Sequence, residues 1–210
     1  NFNFNVLDNL YTLSKNMKDY SISDATIGEL FAETLELAKD DIEETIDMES
    51  IDDYLFVIFH AGVGQDISFP YFDPTNYDIP SAYVENSMLS TISDEAWISQ
   101  HNIDRGIILP ETLNHIYYDI IEELFYGVDD YCDYQIGMTG LFALLIGYAL
   151  DFPPLYNTDN ARAGVGVFGL MDYGYNNGKD VIPAPPTPWT RIKAGWSEAI
   201  KINHLNNKDS

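Results

Sequence analysis

The chain has 210 residues, 46% of them hydrophobic, enough to bury a sizeable core, and a single domain is the expected organisation. Its 34 Asp and Glu against 10 Lys and Arg give a net charge of −24, a field that repels DNA, RNA and anionic lipid and argues against a nucleic-acid role. One cysteine, Cys132, rules out an internal disulfide framework.

The charge is uneven. Residues 1–151 carry 29 acids against 4 bases, and residues 152–210 carry 5 against 6. Divalent cations, basic partners, high salt or an extracellular setting would all suit such a surface. The chain starts at Asn1 and reads as a trimmed piece of a longer precursor.

Alternation at Phe2, Phe4 and Val6 predicts a strand entering the domain. Residues 23–49 then carry Ile27, Phe31, Leu35, Ala38, Ile42 and Ile46 at helical spacing. Glu29, Glu33, Glu36, Asp40 and Glu43 form a second stripe, expected to be a solvated face, and Thr26 with Glu29 fits a capping box. Residues 54–60 (YLFVIFH) are continuously apolar and aromatic, as in a central strand buried on both sides. The run ends in His60-Ala61-Gly62-Val63-Gly64-Gln65-Asp66, whose glycines permit a tight turn. Helix, strand and turn in that order argue for an α/β layer architecture.

Residues 68–93 are long, irregular and rich in Pro, Tyr and Asp. Asp66, Asp73, Asn76 and Asp78 supply oxygens of the kind calcium takes, although their spacing is not that of an EF-hand; the same residue types also cap their own turns. Residues 106–109 (GIIL) predict a second strand closed by Pro110, and residues 111–126 an amphipathic helix with Ile116, Ile120, Leu124 and Phe125 inward. On that helix His115, Asp119, Glu122 and Glu123 are read as surface. Residues 138–150 carry no charge and predict a buried central helix, stopped by Pro153-Pro154. At about thirteen residues it falls short of the roughly twenty a bilayer requires, so no membrane insertion is expected. A Gly-rich run from Gly164 leads to Met171 and Asp172. Residues 183–196 follow, read as a Pro-stiffened loop and short helix with Trp189, Ile192 and Trp196 on the core. The domain is expected to span residues 1–202, with 203–210 a polar tail or linker toward a further C-terminal region.

The frame Gly-x-Phe-Ala-x-x-x-Gly-x-x-Leu-x-x-Pro-x-Leu-Tyr-x-Thr-Asp, from Gly140 to Asp159, resembles the active-site helix of the immune-inhibitor-A-like family of secreted zinc metallopeptidases. The strand running into His60-Ala61-Gly62, the Gly-rich run to Met171, and the Pro183-Ala-Pro…Trp189…Lys193…Gly195-Trp196 block resemble further landmarks of that family, in the same order. The resemblance covers residues 54–66 and 137–196, about a third of the chain. It implies a zincin-like scaffold: α/β (α+β), with a small mixed sheet packed on a buried central helix. It also places Met171 at a methionine turn beneath the metal. The family helix carries His-Glu-x-Gly-His, two imidazoles one turn apart with a glutamate base. Here the corresponding positions are Leu144, Leu145 and Tyr148, and the third-ligand position falls at Pro154. A catalytic zinc needs three protein ligands, which these residues cannot supply, so no zinc is expected.

The resemblance therefore implies a pseudopeptidase, a binding or structural module of an extracellular or cell-surface protein that engages a protein or peptide partner or assembles with itself. The alternative is an active hydrolase whose metal site has moved to His60, His101 or His115 with loop carboxylates. The four histidines include no two within a helical turn, and no Gly-x-Ser-x-Gly elbow is present.

Overall fold

Ser23 starts the longest helix by capping it. Its Oγ accepts the Thr26 N–H at 3.3 Å, while the Thr26 hydroxyl accepts the Ser23 N–H at 2.9 Å. The capping box is thus Ser23 with Thr26, one turn earlier than the expected Thr26–Glu29 pair. A single turn, α1 (Met17–Tyr20), precedes this helix, α2 (Asp24–Thr45). The computed structural model describes residues 3–66, 77–114 and 136–200. Ile27, Leu30, Phe31, Leu35, Ala38 and Ile42 of α2 are buried, as their spacing requires.

The acidic stripe of α2 is more than a solvated face. Glu33 accepts the Ser14 N–H at 2.6 Å and the Tyr20 hydroxyl; Asp41 accepts from Asn9 at 2.7 Å and from the Tyr11 hydroxyl. Glu36 and Glu43 take the backbone and indole N–H groups of Trp97, which opens the turn α3 (Trp97–Gln100). The stripe therefore docks two segments of its own chain through charge-assisted bonds. The strand expected at the N-terminus does not form over residues 3–6, where Phe4 and Val6 stand in solvent.

Three strands make a small mixed sheet in the order β1 (Phe56–Val63), β3 (Gly106–Thr112), β2 (Ala82–Val84). β1 and β3 are parallel, with Phe56 opposite Gly106 and Phe59 opposite Leu109; β2 is antiparallel, with Ala82 opposite Ile108. The buried central strand is β3, not the 54–60 run. β1 is an edge among the described strands, and Phe59 is 59% exposed. Its apolar continuity has another cause: Phe56 and Ile58 pack toward α2, while Leu55 and Val57 pack on the opposite face. Pro110 does not close β3. β2 pairs only with Gly106–Ile108, so the missing N–H at Pro110 falls beyond the antiparallel ladder, and the strand continues to Thr112. Glu111 and Thr112 are therefore strand and not the start of a helix. His115, Asp119, Glu122 and Glu123, with Cys132, lie outside the described residues.

Gly106 lets the layers close: a Cβ there would stand 2.1 Å from the Phe31 ring. On one face of the sheet, Ile108 and Val84 join the α2 core with Phe31, Leu35 and Ile98. On the other, Ile107 and Leu109 meet Leu141 and Leu145 of α4 (Thr139–Ala149). Helix, sheet and helix thus form three layers, a mixed α/β arrangement. Leu141, Leu144 and Leu145 of α4 are buried, whereas Phe142, Ala143, Ile146 and Tyr148 are only half-buried, so the helix is not enclosed all round. Among the described residues no helix is long and apolar enough to cross a membrane.

The last helix, α5 (Pro188–Lys193), is capped by the Thr187 hydroxyl, which accepts the Thr190 N–H at 3.1 Å. Thr190 is its buried residue. Trp189, Ile192 and Trp196, expected on the core, are 53%, 43% and 57% exposed, because this short helix turns Thr190 inward. Trp196 still meets Phe152 edge-on at 4.9 Å, and the Lys193 ammonium lies over the Trp189 ring.

Candidate functional site

The C-terminal half of α4 divides its side chains between two clusters. Leu145 faces the sheet with Ile107 and Leu109, while Leu144 packs with Phe152, Leu170 and Met171. Met171 is fully buried, and its sulfur lies against Gly147, where a Cβ would stand 2.5 Å away. Tyr148 is on the same side of the helix as Leu144, one turn on. Its hydroxyl is 3.0 Å from that of Tyr156, and its ring centroid is 6.1 Å from that of Tyr83. Pro154 is exposed in the loop that follows.

Burial, and then the bond to Tyr156, push the Tyr148 phenol far up, so it stays neutral at any physiological pH. Tyr175 is also raised, first by burial and then by the charges of Asp180 and Asp66. Tyr83, Tyr148, Tyr156 and Tyr175, all half-exposed, thus lie along α4, Tyr148 in its last turn and the Tyr175 carbonyl against Gly140 in its first, with the exposed Asp66 close enough for its charge to act on Tyr175. Neutral phenols of this kind offer apolar faces and hydroxyls together, which suits contact with peptide side chains.

Asp172, beside Met171, is 1% exposed. Burial alone would raise its pKa, but Gly164, Val165 and Gly166 donate N–H bonds to Oδ2 at 2.8, 2.7 and 2.7 Å, and Tyr173 donates to Oδ1 at 2.8 Å. The net effect holds the carboxyl below its ordinary range. The Gly-rich run is thus a nest of amides already filled by the chain's own anion, fixing the turn that carries Met171.

Asp180 is the opposite case. At 2% exposed, burial lifts its carboxyl to about 6, against an N–H bond from Leu141 and reinforced by the charge of Asp66. Met138 gives α4 no side-chain cap, so Asp180 supplies one from a distant loop. Its Oδ1 is buried without a hydrogen-bond partner among the described residues.

Of the residues offered for calcium, Asp66 and Asp78 are described. Gln65 donates its N–H to Ile79 O at 3.3 Å, which sets Asp66 beside residues 79–81. There Asp66 accepts the Ser81 N–H at 3.0 Å and hydroxyl at 2.8 Å, so it closes a loop, and Asp78 is buried at 3% exposure. Asp73 and Asn76 lie outside the described residues. Of the histidines offered for a relocated site, His60 has Nδ1 3.0 Å from Ala61 O, and His101 stacks on Trp97 with Nδ1 2.8 Å from its carbonyl. His115 lies outside the described residues. Among those described, no three His, Cys, Asp or Glu side chains form a group that could hold a metal ion.

Tyr83, Tyr175 and the buried Asp180 carry no signal in the sequence, whereas Tyr156 is the tyrosine of the frame that begins at Gly140. The four come from three segments, and no local pattern joins Tyr83, Tyr175 or Asp180 to α4. No family model, curated protein or solved structure matches the chain.

Proposed function

We propose that the chain is a catalytically empty metallopeptidase-like scaffold, zincin-like in plan, that serves as a binding or structural module of an extracellular or cell-surface protein. One observation carries it: Leu144 and Tyr148, one turn apart on α4, stand above the buried Met171, where the resemblance would put two zinc-binding imidazoles. Leu144 is closed into an apolar cluster, and the Tyr148 hydroxyl is bonded to Tyr156. Filling such positions with apolar groups removes the desolvation cost of buried polar ligands and strengthens the core instead.

The phenol face around Tyr148 is the surface offered to a protein or peptide partner. The exposed Asp66 beside it favours a segment bearing Lys or Arg, and the net charge of −24 steers basic partners toward the chain. A shallow depression of about 310 Å3 beside Lys15 and Ile92 competes less well, since Glu33 and Glu36 there already accept bonds from the chain.

Zinc and calcium content per chain, measured with peptidase activity and with the thermal melt in calcium and in chelator, tests the proposal. It expects no stoichiometric zinc, no zinc-dependent cleavage, and a basic peptide whose binding is weakened by Tyr156→Ala. A melt raised by calcium in the wild type but not in Asp66→Asn or Asp73→Asn would support that ion in the loop of Asp66, Asp73, Asn76 and Asp78. One zinc per chain with zinc-dependent proteolysis would overturn the proposal in favour of a hydrolase with a relocated site.

A further inference from the structure

We infer that two copies of this chain pair by reciprocal strand addition, residues 3–6 of one copy seating, in the other, along the edge of β1 that no described strand covers. The donor has a strand's sequence but no strand's partner. Phe4 and Val6 alternate with Asn3 and Asn5, yet residues 3–6 form no ladder with any described strand, and Phe4 and Val6 are 75% and 79% exposed, while Leu7 packs on its own core and ends the free segment. The acceptor has the complementary lack. β1 pairs with β3 on one side only among the described strands, and Phe59 on it is 59% exposed. At the end of β1 the Gly62 N–H is already given to Glu111 at 3.2 Å, but residues 56–61 carry neither Pro nor Asp, Glu, Lys or Arg, and such an edge is a template for another strand.

Charge selects the pairing. In a chain carrying 34 acids, residues 1–7 and residues 54–65 contain no charged side chain. Two copies of net charge −24 repel each other over most of their surfaces, and these two stretches meet without adding an acid–acid contact. The alternation also fits, because Phe4 and Val6 share one face and can flank Phe59 as cross-strand neighbours. Residues 9 and 11 are anchored to Asp41 of α2, so the segment leaves its own domain from a fixed point. Reciprocal exchange makes two equivalent ladders about one twofold axis, the commonest closed assembly. The β1 edge lies across β3 from β2 and Tyr83, so this self-pairing and the partner binding proposed above stand or fall separately.

Sedimentation equilibrium of the full chain at physiological salt tests it. The wild type is expected to dimerise reversibly, and Phe4→Asp with Val6→Asp to weaken the dimer roughly 100-fold. Phe59→Glu on the acceptor edge should do the same, with melting unchanged in both at concentrations where the wild type is monomeric, since all three side chains are exposed in the monomer. Mixing the donor-defective and acceptor-defective chains should restore a heterodimer through the one intact ladder. A wild type that stays monomeric at every concentration would overturn the inference, as would a dimer indifferent to these substitutions. So would a mixture that fails to pair.

Discussion

The Met171 sulfur lies 2.5 Å from the point where a Cβ on residue 147 would sit, so Gly147 is the notch in α4 that admits the buried methionine. Gly140, two turns earlier on the same helix, faces something harder: its Cβ would stand 1.8 Å from the Tyr175 carbonyl oxygen and 2.5 Å from Asp180 Oδ1. Replacement by Ala gains about 1 kcal/mol of helix propensity at either site. At Gly147 a flexible thioether can yield, and overpacking should leave a net loss of about 1 kcal/mol. At Gly140 the obstacle is backbone, and about 3 kcal/mol or more should be lost. Urea unfolding of the two variants checks the order, and a Gly140→Ala chain as stable as Gly147→Ala would contradict the packing described.

The acids of α2 are predicted to separate into two kinds. Glu43 accepts the indole N–H of Trp97 at 2.8 Å, and Trp97 is only 6% exposed. Truncation to Ala strands that donor and should cost about 1–2 kcal/mol. Glu44, one position on, is exposed, and Glu44→Ala should stay within about 0.5 kcal/mol of wild type. Thermal melts of the two single variants at equal protein concentration decide it.

Periodicity made the buried stripe of α2 legible, because Ile27, Phe31, Leu35, Ala38 and Ile42 repeat at the helix period and nothing else fits that spacing. It could not say what Glu33, Glu36 and Glu43 touch, since their partners Ser14, Tyr20 and Trp97 arrive from other segments. The 54–60 run announced a strand, yet apolar continuity reports covered faces and not paired edges, so the central place fell to β3 instead. β2, at three residues, is too short to leave a pattern. At the site, the uncharged run 138–150 announced the helix that carries Leu144, Leu145 and Tyr148, but not that Leu145 turns to the sheet while Leu144 turns to Met171. Asp180 was not legible, because a cap supplied to α4 from about forty residues downstream has no local signature.

The proposed frame can be tested by putting imidazoles back. Leu144→His with Tyr148→His sets two nitrogen donors at i and i+4 on one helix face, the spacing that lets both reach one ion. With Pro154 unable to complete the set, binding should be weak, seen as a zinc-dependent rise of a few degrees in the melting temperature that the wild type lacks. A variant that folds but ignores zinc would remove the assignment of these two positions.

Asp172 and Asp180 should give the fold opposite pH dependences. The Asp172 carboxyl is held below its unfolded value of about 3.9, so its contribution is complete above that pH and lost as pH falls through the lower folded value. Asp180 titrates near 6 in the folded chain, so between about 4 and 6 the native state holds a proton that the unfolded chain has released. Stability from this group is therefore greatest below pH 4 and falls as pH rises to 6, by roughly 2–3 kcal/mol for a shift of about two units. Asp180→Asn mimics the protonated carboxyl and should melt like wild type at pH 4 but above it at pH 7. Asp172→Asn leaves several amides without their anion, and should lose about 2–4 kcal/mol at pH 7, with the deficit shrinking in acid. Urea midpoints of the three chains from pH 3 to 8 follow both effects, and parallel curves for wild type and Asp180→Asn would show that the buried carboxyl does not titrate in that window.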